Sequence, residues 1–168
     1  MRINTNNTNK IAWLKNLYTG EEFEALFPMD EDKMDELEDR ATCKGSHDCA
    51  VCASEGFYGF ADEFCTPYDL NELAERIETL EDKDADKFEA MAEYCDNLDD
   101  IESAWNNSYF YTNTTLADYA ELHAEECGFL EAVPDFIRGY IDWEDMAEDM
   151  KTGYGYSEIN GGVLYVAQ

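Results

Sequence analysis

Two stretches of the chain separate apolar from acidic residues at helical spacing. From Asp69, Leu70, Leu73, Ala74, Ile77 and Leu80 form an apolar stripe, while Asp69, Glu72, Glu75, Glu78 and Glu81 recur every three residues beside it. The segment "YIDWEDMAEDM" (140–150) repeats the division more sharply. With Asp142 set at zero on a helical projection, Glu144, Asp145, Glu148 and Asp149 fall between roughly 200° and 340°. Trp143, Met146, Ala147 and Met150 fall between about 40° and 140°, so one face is built to be buried and the other is nearly all negative.

The remaining pattern supplies strands and shorter helices. "KIAWLKNLY" and "EEFEALF" flank Thr19-Gly20 as a hairpin, and a helix is predicted from Asp30 to Arg40 with Met34 and Leu37 inward. A Cys-rich loop follows, then "GFYGFADEF" as the expected third strand, with Pro67 as a break. "ADKFEAMAEYC" and "LDDIESAW" read as further helices, and "SYFYTN" as a strand. Thr115 with Asp118 forms a capping box that opens a helix ending before Gly128. Pro134 opens a short helical turn, and "YGYSEI" and "GVLYVA" close the chain as a hairpin around Asn160-Gly161-Gly162. The expected fold is α+β in three small units: a β-rich N-terminal unit (1–66), a central helical bundle (67–106) and a C-terminal α+β unit with a hairpin (107–168).

Charge changes this picture most. The 168 residues carry 40 acids against 11 Lys and Arg, a net charge of −29. Residues 1–20 hold none of the acids, whereas Asp69 to Glu102 hold 14 of them against three basic residues. Self-repulsion on that scale opposes compaction, so a function should select for it. Such a surface repels nucleic acid and membranes and attracts basic proteins. Apolar residues make up 45% of the chain, with 11 Tyr and 9 Phe, enough for a core, which argues against a disordered acidic tail. The abundant aromatics and six Cys do not suit a halophilic surface. The chain has no long apolar run and no apolar segment behind its N-terminal charges, so the expectation is a cytoplasmic protein with reduced thiols.

Conventional catalysis finds little footing. There is no Gly-rich phosphate loop and no nucleophile elbow, and the expectation is a protein that is not an enzyme. Of the two His, His123 reads as an ordinary helix residue. "DKDAD" at 82–86 with Glu93 matches four positions of a calcium loop, but Lys87 replaces the Gly that the tight turn needs and the segment reads as helix. The sharper metal candidate is "CKGSHDCAVC", where Cys43, His47, Cys49 and Cys52 offer four zinc ligands and Cys65 lies near in sequence. The usual second ligand pair is missing, so free thiols compete with a structural zinc clip, and no cofactor is required.

The acidic helices carry a second possibility. Asp142 to Asp149 present five carboxylates over a rise of about 10.5 Å, roughly one per 2 Å. Duplex DNA carries one charge per about 1.7 Å. Recurring acidic helices, each backed by an apolar face, describe a rigid polyanion, which is what a competitor for a DNA-binding cleft requires.

"YIDWEDMAEDM" followed by "GYGYSE" and a closing strand resembles the C-terminal region of the ArdA antirestriction proteins, and "DLNELAERIETLE" is similar to the start of that family's central helical segment. The resemblance runs from about residue 56 to the end and is looser over the first hairpin; the Cys-rich loop at 43–52 and the Asn-rich head depart from the pattern. It implies an elongated three-part protein that forms a homodimer through its C-terminal unit. It also implies that the dimer resembles bent DNA and occupies the DNA groove of type I restriction-modification enzymes inside a bacterial cell, without binding nucleic acid or membrane itself. By position, the phosphate surrogates would be Asp69, Glu72, Glu75, Glu78, Glu81, Asp99, Asp100 and Glu102. Asp118, Glu121, Glu125, Asp142, Glu144, Asp145, Glu148 and Asp149 complete the set. The acidic face alone fits two other readings: an inhibitor of another nucleic-acid-binding defence complex, such as a CRISPR effector, or a zinc-clipped adaptor kept soluble by its charge.

Overall fold

The structure, a computed structural model, describes residues 10–41 and 49–167. These form an α+β fold with two separate three-stranded antiparallel sheets, ordered β2-β1-β3 and β4-β6-β5. They divide into two compact units, one ending at Lys83 and the other beginning at Asp84. The boundary lies within the 67–106 block that the charge pattern sets apart. Among the described residues no helix is long and apolar enough to cross a membrane.

In the first unit, β1 (Lys10–Asn16) pairs with β2 (Glu22–Phe27) in the register Ala12 to Ala25 and Leu14 to Phe23. Alternation sends Ala12, Leu14, Phe23, Ala25 and Phe27 into the core. The turn is closed by Asn16, whose Oδ1 accepts the N–H groups of Tyr18 and Thr19 at 3.0 and 2.9 Å. Helix α1 (Glu31–Ala41) starts on Asp30, which accepts the Lys33 N–H, and buries Met34, Leu37 and Ala41. The third strand corrects the sequence expectation. It is β3 (Cys49–Glu55), inside the supposed loop, whereas "GFYGFADEF" is a succession of turns. Gly56, Tyr58 and Gly59 all have positive φ, so the chain bends too sharply there to extend. Phe57 still reaches the core, edge-on to Phe27 with ring centroids 6.1 Å apart.

Pro67 opens a helix rather than merely ending a segment. Helix α2 (Pro67–Tyr94) is interrupted at Asp84, whose backbone is extended (φ −164°, ψ 96°). The Asp84 carboxylate accepts the Lys87 N–H at 3.1 Å and so caps the following turn. Up to the break, Leu70, Ala74, Ile77 and Leu80 are buried as their spacing predicts.

In the second unit, the rest of α2 and α3 (Leu98–Ala104) bury Phe88, Met91, Leu98 and Ile101. The sheet consists of β4 (Ser108–Thr112), β5 (Tyr156–Ile159) and the central β6 (Gly162–Val166). Gly162 has no room for a side chain, since an added Cβ would lie 2.5 Å from the Tyr111 carbonyl oxygen and 2.6 Å from the Phe110 ring. Helix α4 (Leu116–Glu126) follows the Thr115–Asp118 capping box, and α5 (Asp135–Arg138) follows Pro134. Helix α6 (Trp143–Gly153) packs Ala147 and Met150 with Leu116, Tyr119, Ala120 and Val163, and Trp143 and Met146 pack against that cluster. The apolar face projected from the sequence is thus the one that is covered.

Candidate functional site

On α6 the acids stand opposite this cluster. Asp142, Glu144, Asp145, Glu148 and Asp149 are all exposed. Asp142 is also the N-cap, its Oδ1 accepting the Asp145 N–H at 3.1 Å, and Glu148 accepts from Lys151 Nζ at 2.9 Å. That contact holds the Lys151 ammonium above the ordinary lysine pKa, first by the hydrogen bond and then by the charge of Glu148. Acids in the first turn also suit the helix dipole.

The other candidate acids are exposed as well, except Glu78 and Glu81, which are half-buried. Asp69 exchanges hydrogen bonds with Thr66 to cap α2, and Glu75 accepts from Asn71 at 3.0 Å. Asp100 accepts from Asn97 at 2.7 Å, Asp118 from Thr115 at 2.7 Å, and Glu125 lies 4.0 Å from Arg138. Asp99 and Glu102 are exposed on α3. Glu72, Glu121, Glu144, Asp145 and Asp149 have carboxylates that no described side chain engages. Several of the acids therefore shape helix ends as well as charging the surface.

Glu78 and Glu81 have a further partner that sequence reasoning missed. Lys10, 1% exposed, places its Nζ 2.9 Å from Glu81 and 3.9 Å from Glu78, and the Tyr58 hydroxyl donates to the other Glu81 oxygen at 2.9 Å. The alternation of β1 puts residue 10 on the buried side with Ala12 and Leu14, so burial was readable; the acid 71 residues away was not.

The same economy of positive charge recurs across the surface. Lys15 pairs with Glu22, Lys33 with Asp30, Arg40 with Glu21, and Arg138 with Asp135. Lys87 donates to the carbonyls of Trp105 and Ser108 at 2.6 and 2.7 Å, and burial pulls its pKa down. Most described cations are thus covered by carboxylates or carbonyls, and the acids of α6 dominate what a partner would meet there.

Only part of the zinc candidate falls among the described residues. Cys43 and His47 lie outside the described residues. Cys49 is half-buried at the start of β3, where burial pushes its thiol pKa up. Cys52 is exposed at an irregularity between the partners of Trp13 and Leu14, and Cys65 is half-buried. Among the described residues no three His, Cys, Asp or Glu side chains are grouped to hold a metal. "DKDAD" lies along α2, with Asp84 serving as a cap. His123 stacks on Tyr119 with ring centroids 5.8 Å apart.

Comparison with curated protein sequences finds no match. A family model described as antirestriction protein (ArdA) matches residues 12–165, which takes in nearly all of both sheets and every acidic helix. The chain therefore belongs to the ArdA antirestriction protein family.

Proposed function

We propose that the protein inhibits restriction by acting as a decoy for DNA, occupying the DNA-binding cleft of a type I restriction-modification enzyme. The observation that carries this reading is α6: five exposed carboxylates on a helix whose opposite face is packed against α4 and β6. Their mean spacing of about 2.6 Å along the axis is of the same order as the charge spacing of duplex DNA, about 1.7 Å. Inhibition is by occupancy, with no catalytic step. Complementary charge steers the protein to a basic cleft, and the complex weakens as salt screens the attraction.

The same reading includes a homodimer joined through the C-terminal unit. There Phe129, Phe136 and Tyr140 are exposed, the last two to 76% and 87%, and offer the apolar contact that such an interface needs. Sedimentation at micromolar concentration should show the dimer; monomer alone would remove it from the reading.

The functional test is competition between the protein and labelled duplex for a purified type I complex. Replacing Glu144, Asp145, Glu148 and Asp149 by their amides should weaken inhibition by about tenfold or more and flatten its salt dependence. Unchanged inhibition by that variant would overturn the decoy reading.

A further inference from the structure

The face of the first sheet that points away from its core carries a grouping that charge mimicry does not use. Trp13 on β1 and Glu24 on β2 are directly opposed partners, and their neighbours Ala12, Leu14, Phe23 and Ala25 point into the core. Trp13 is 36% exposed and Glu24 is exposed. Opposed side chains on one sheet face lie about 4.5–5.5 Å apart at Cβ. Two residues along the same face, Lys15 Nζ reaches Glu22 at 2.8 Å, so a cation over this surface does meet a carboxylate from β2. On the other side, Ile11 opposes Leu26, which is 47% exposed, and the pair provides an apolar floor.

We propose that Trp13 and Glu24 form a docking site for an arginine side chain of a basic protein partner. This proposal rests on the reading that the acidic surface binds such a protein. The guanidinium would stack on the indole while donating to the Glu24 carboxylate, and its methylene stem would lie on Ile11 and Leu26. The chain builds the same grouping from its own residues elsewhere. Arg40 stands 4.2 Å from the centroid of the Phe23 ring and donates to Glu21 at 2.6 and 2.8 Å. At Trp13 the ring and the acid are both in place, and among the described residues no cation lies over that ring. Arginine fits better than lysine because its planar head stacks and hydrogen-bonds at once. Charge decides against a second copy of this chain as the occupant, since its own surface carries a net −29.

The test uses the full chain in the same competition against duplex for a type I complex, with folding of each variant checked by circular dichroism. Trp13→Ala should weaken inhibition about tenfold, Glu24→Gln about fivefold, and Trp13→Phe should keep most of it. The Trp13→Ala/Glu24→Gln double variant should lose little more than Trp13→Ala alone, because both groups hold one side chain. Wild-type inhibition by Trp13→Ala, alongside a loss in the α6 amide variant, overturns this site and leaves the decoy reading standing. A loss in Trp13→Ala alongside full inhibition by the α6 variant overturns the decoy reading instead and keeps the site.

Discussion

In the first unit the central strand β1 alternates buried Ala12 and Leu14 with Ile11, Trp13 and Lys15, whereas in the second the central strand β6 buries Gly162, Val163 and Leu164 in succession. Alternation belongs to a sheet with one packed face, and a continuous buried run to a sheet packed on both. Val163 meets α4 and α6, while Leu164 and Ser108 point to the other side, where the Ser108 hydroxyl donates to Met91 Sδ at 3.2 Å. The acids differ in parallel. In the first unit Glu21, Glu22, Asp30, Glu78 and Glu81 are committed to cations, while α6 in the second leaves Glu144, Asp145 and Asp149 unengaged by any described side chain. A sheet covered on both faces gives the more rigid platform, and α6 with its uncommitted acids sits on the unit that has it.

Substitution can break this contrast. The largest effect is expected from Leu164→Ala, which removes a fully buried side chain from the two-faced sheet and should cost about 3 kcal/mol. Residue-resolved hydrogen exchange should place the loss in the second unit; equal loss in β1 and β2 would mean that the two units unfold together. Next comes Lys10→Met in the first unit. The cation is buried but Glu78 and Glu81 reach solvent, so the cost should be about 1–2 kcal/mol, below the usual figure for a buried pair. Chemical denaturation would measure it, and an increase in stability would show that the ion pair is a net burden. Asp142→Ala should cost about 1 kcal/mol and speed exchange in the first turn of α6 while leaving Met150 protected.

The smallest effect is a pH response in the second unit. Burial, then hydrogen bonds with Tyr111 and Tyr156, raise the Tyr119 phenol well above the tyrosine value of about 10. The folded state therefore keeps a proton that the unfolded state loses. This contribution is full below about pH 10 and is lost as pH rises toward the folded-state value. In an absorbance titration, the last tyrosine to ionise should do so together with loss of the second unit's structure. A smooth titration of all tyrosines on an intact fold would contradict it.

What could be read from the chain was whatever its neighbours in sequence determine. The first hairpin, the Thr115–Asp118 cap, the α6 faces and the Asn160–Gly161 turn are local, and each stands where the pattern placed it. Strand β3 was hidden because "CAVCASE" holds one β-branched residue and no aromatic, and its place comes from pairing with β1 across an irregularity at Cys52. The aromatics of "GFYGFADEF" suggested the opposite, but positive φ at Gly56, Tyr58 and Gly59 cannot be seen in composition. The acids of the site were legible as residues and their exposure as a helical face. Which of them hold a cap or Lys10 was not, because one carboxylate looks like another until its partner folds beside it.

The packed underside of α6 has an energetic consequence. Because packing fixes the helix that carries the carboxylates before any partner arrives, their mutual repulsion is met during folding, and little backbone ordering remains for the moment of binding. Screening ions should then act on the two processes in opposite directions. Sodium chloride that loosens the complex should tighten the free protein, raising its unfolding temperature over the same concentration range.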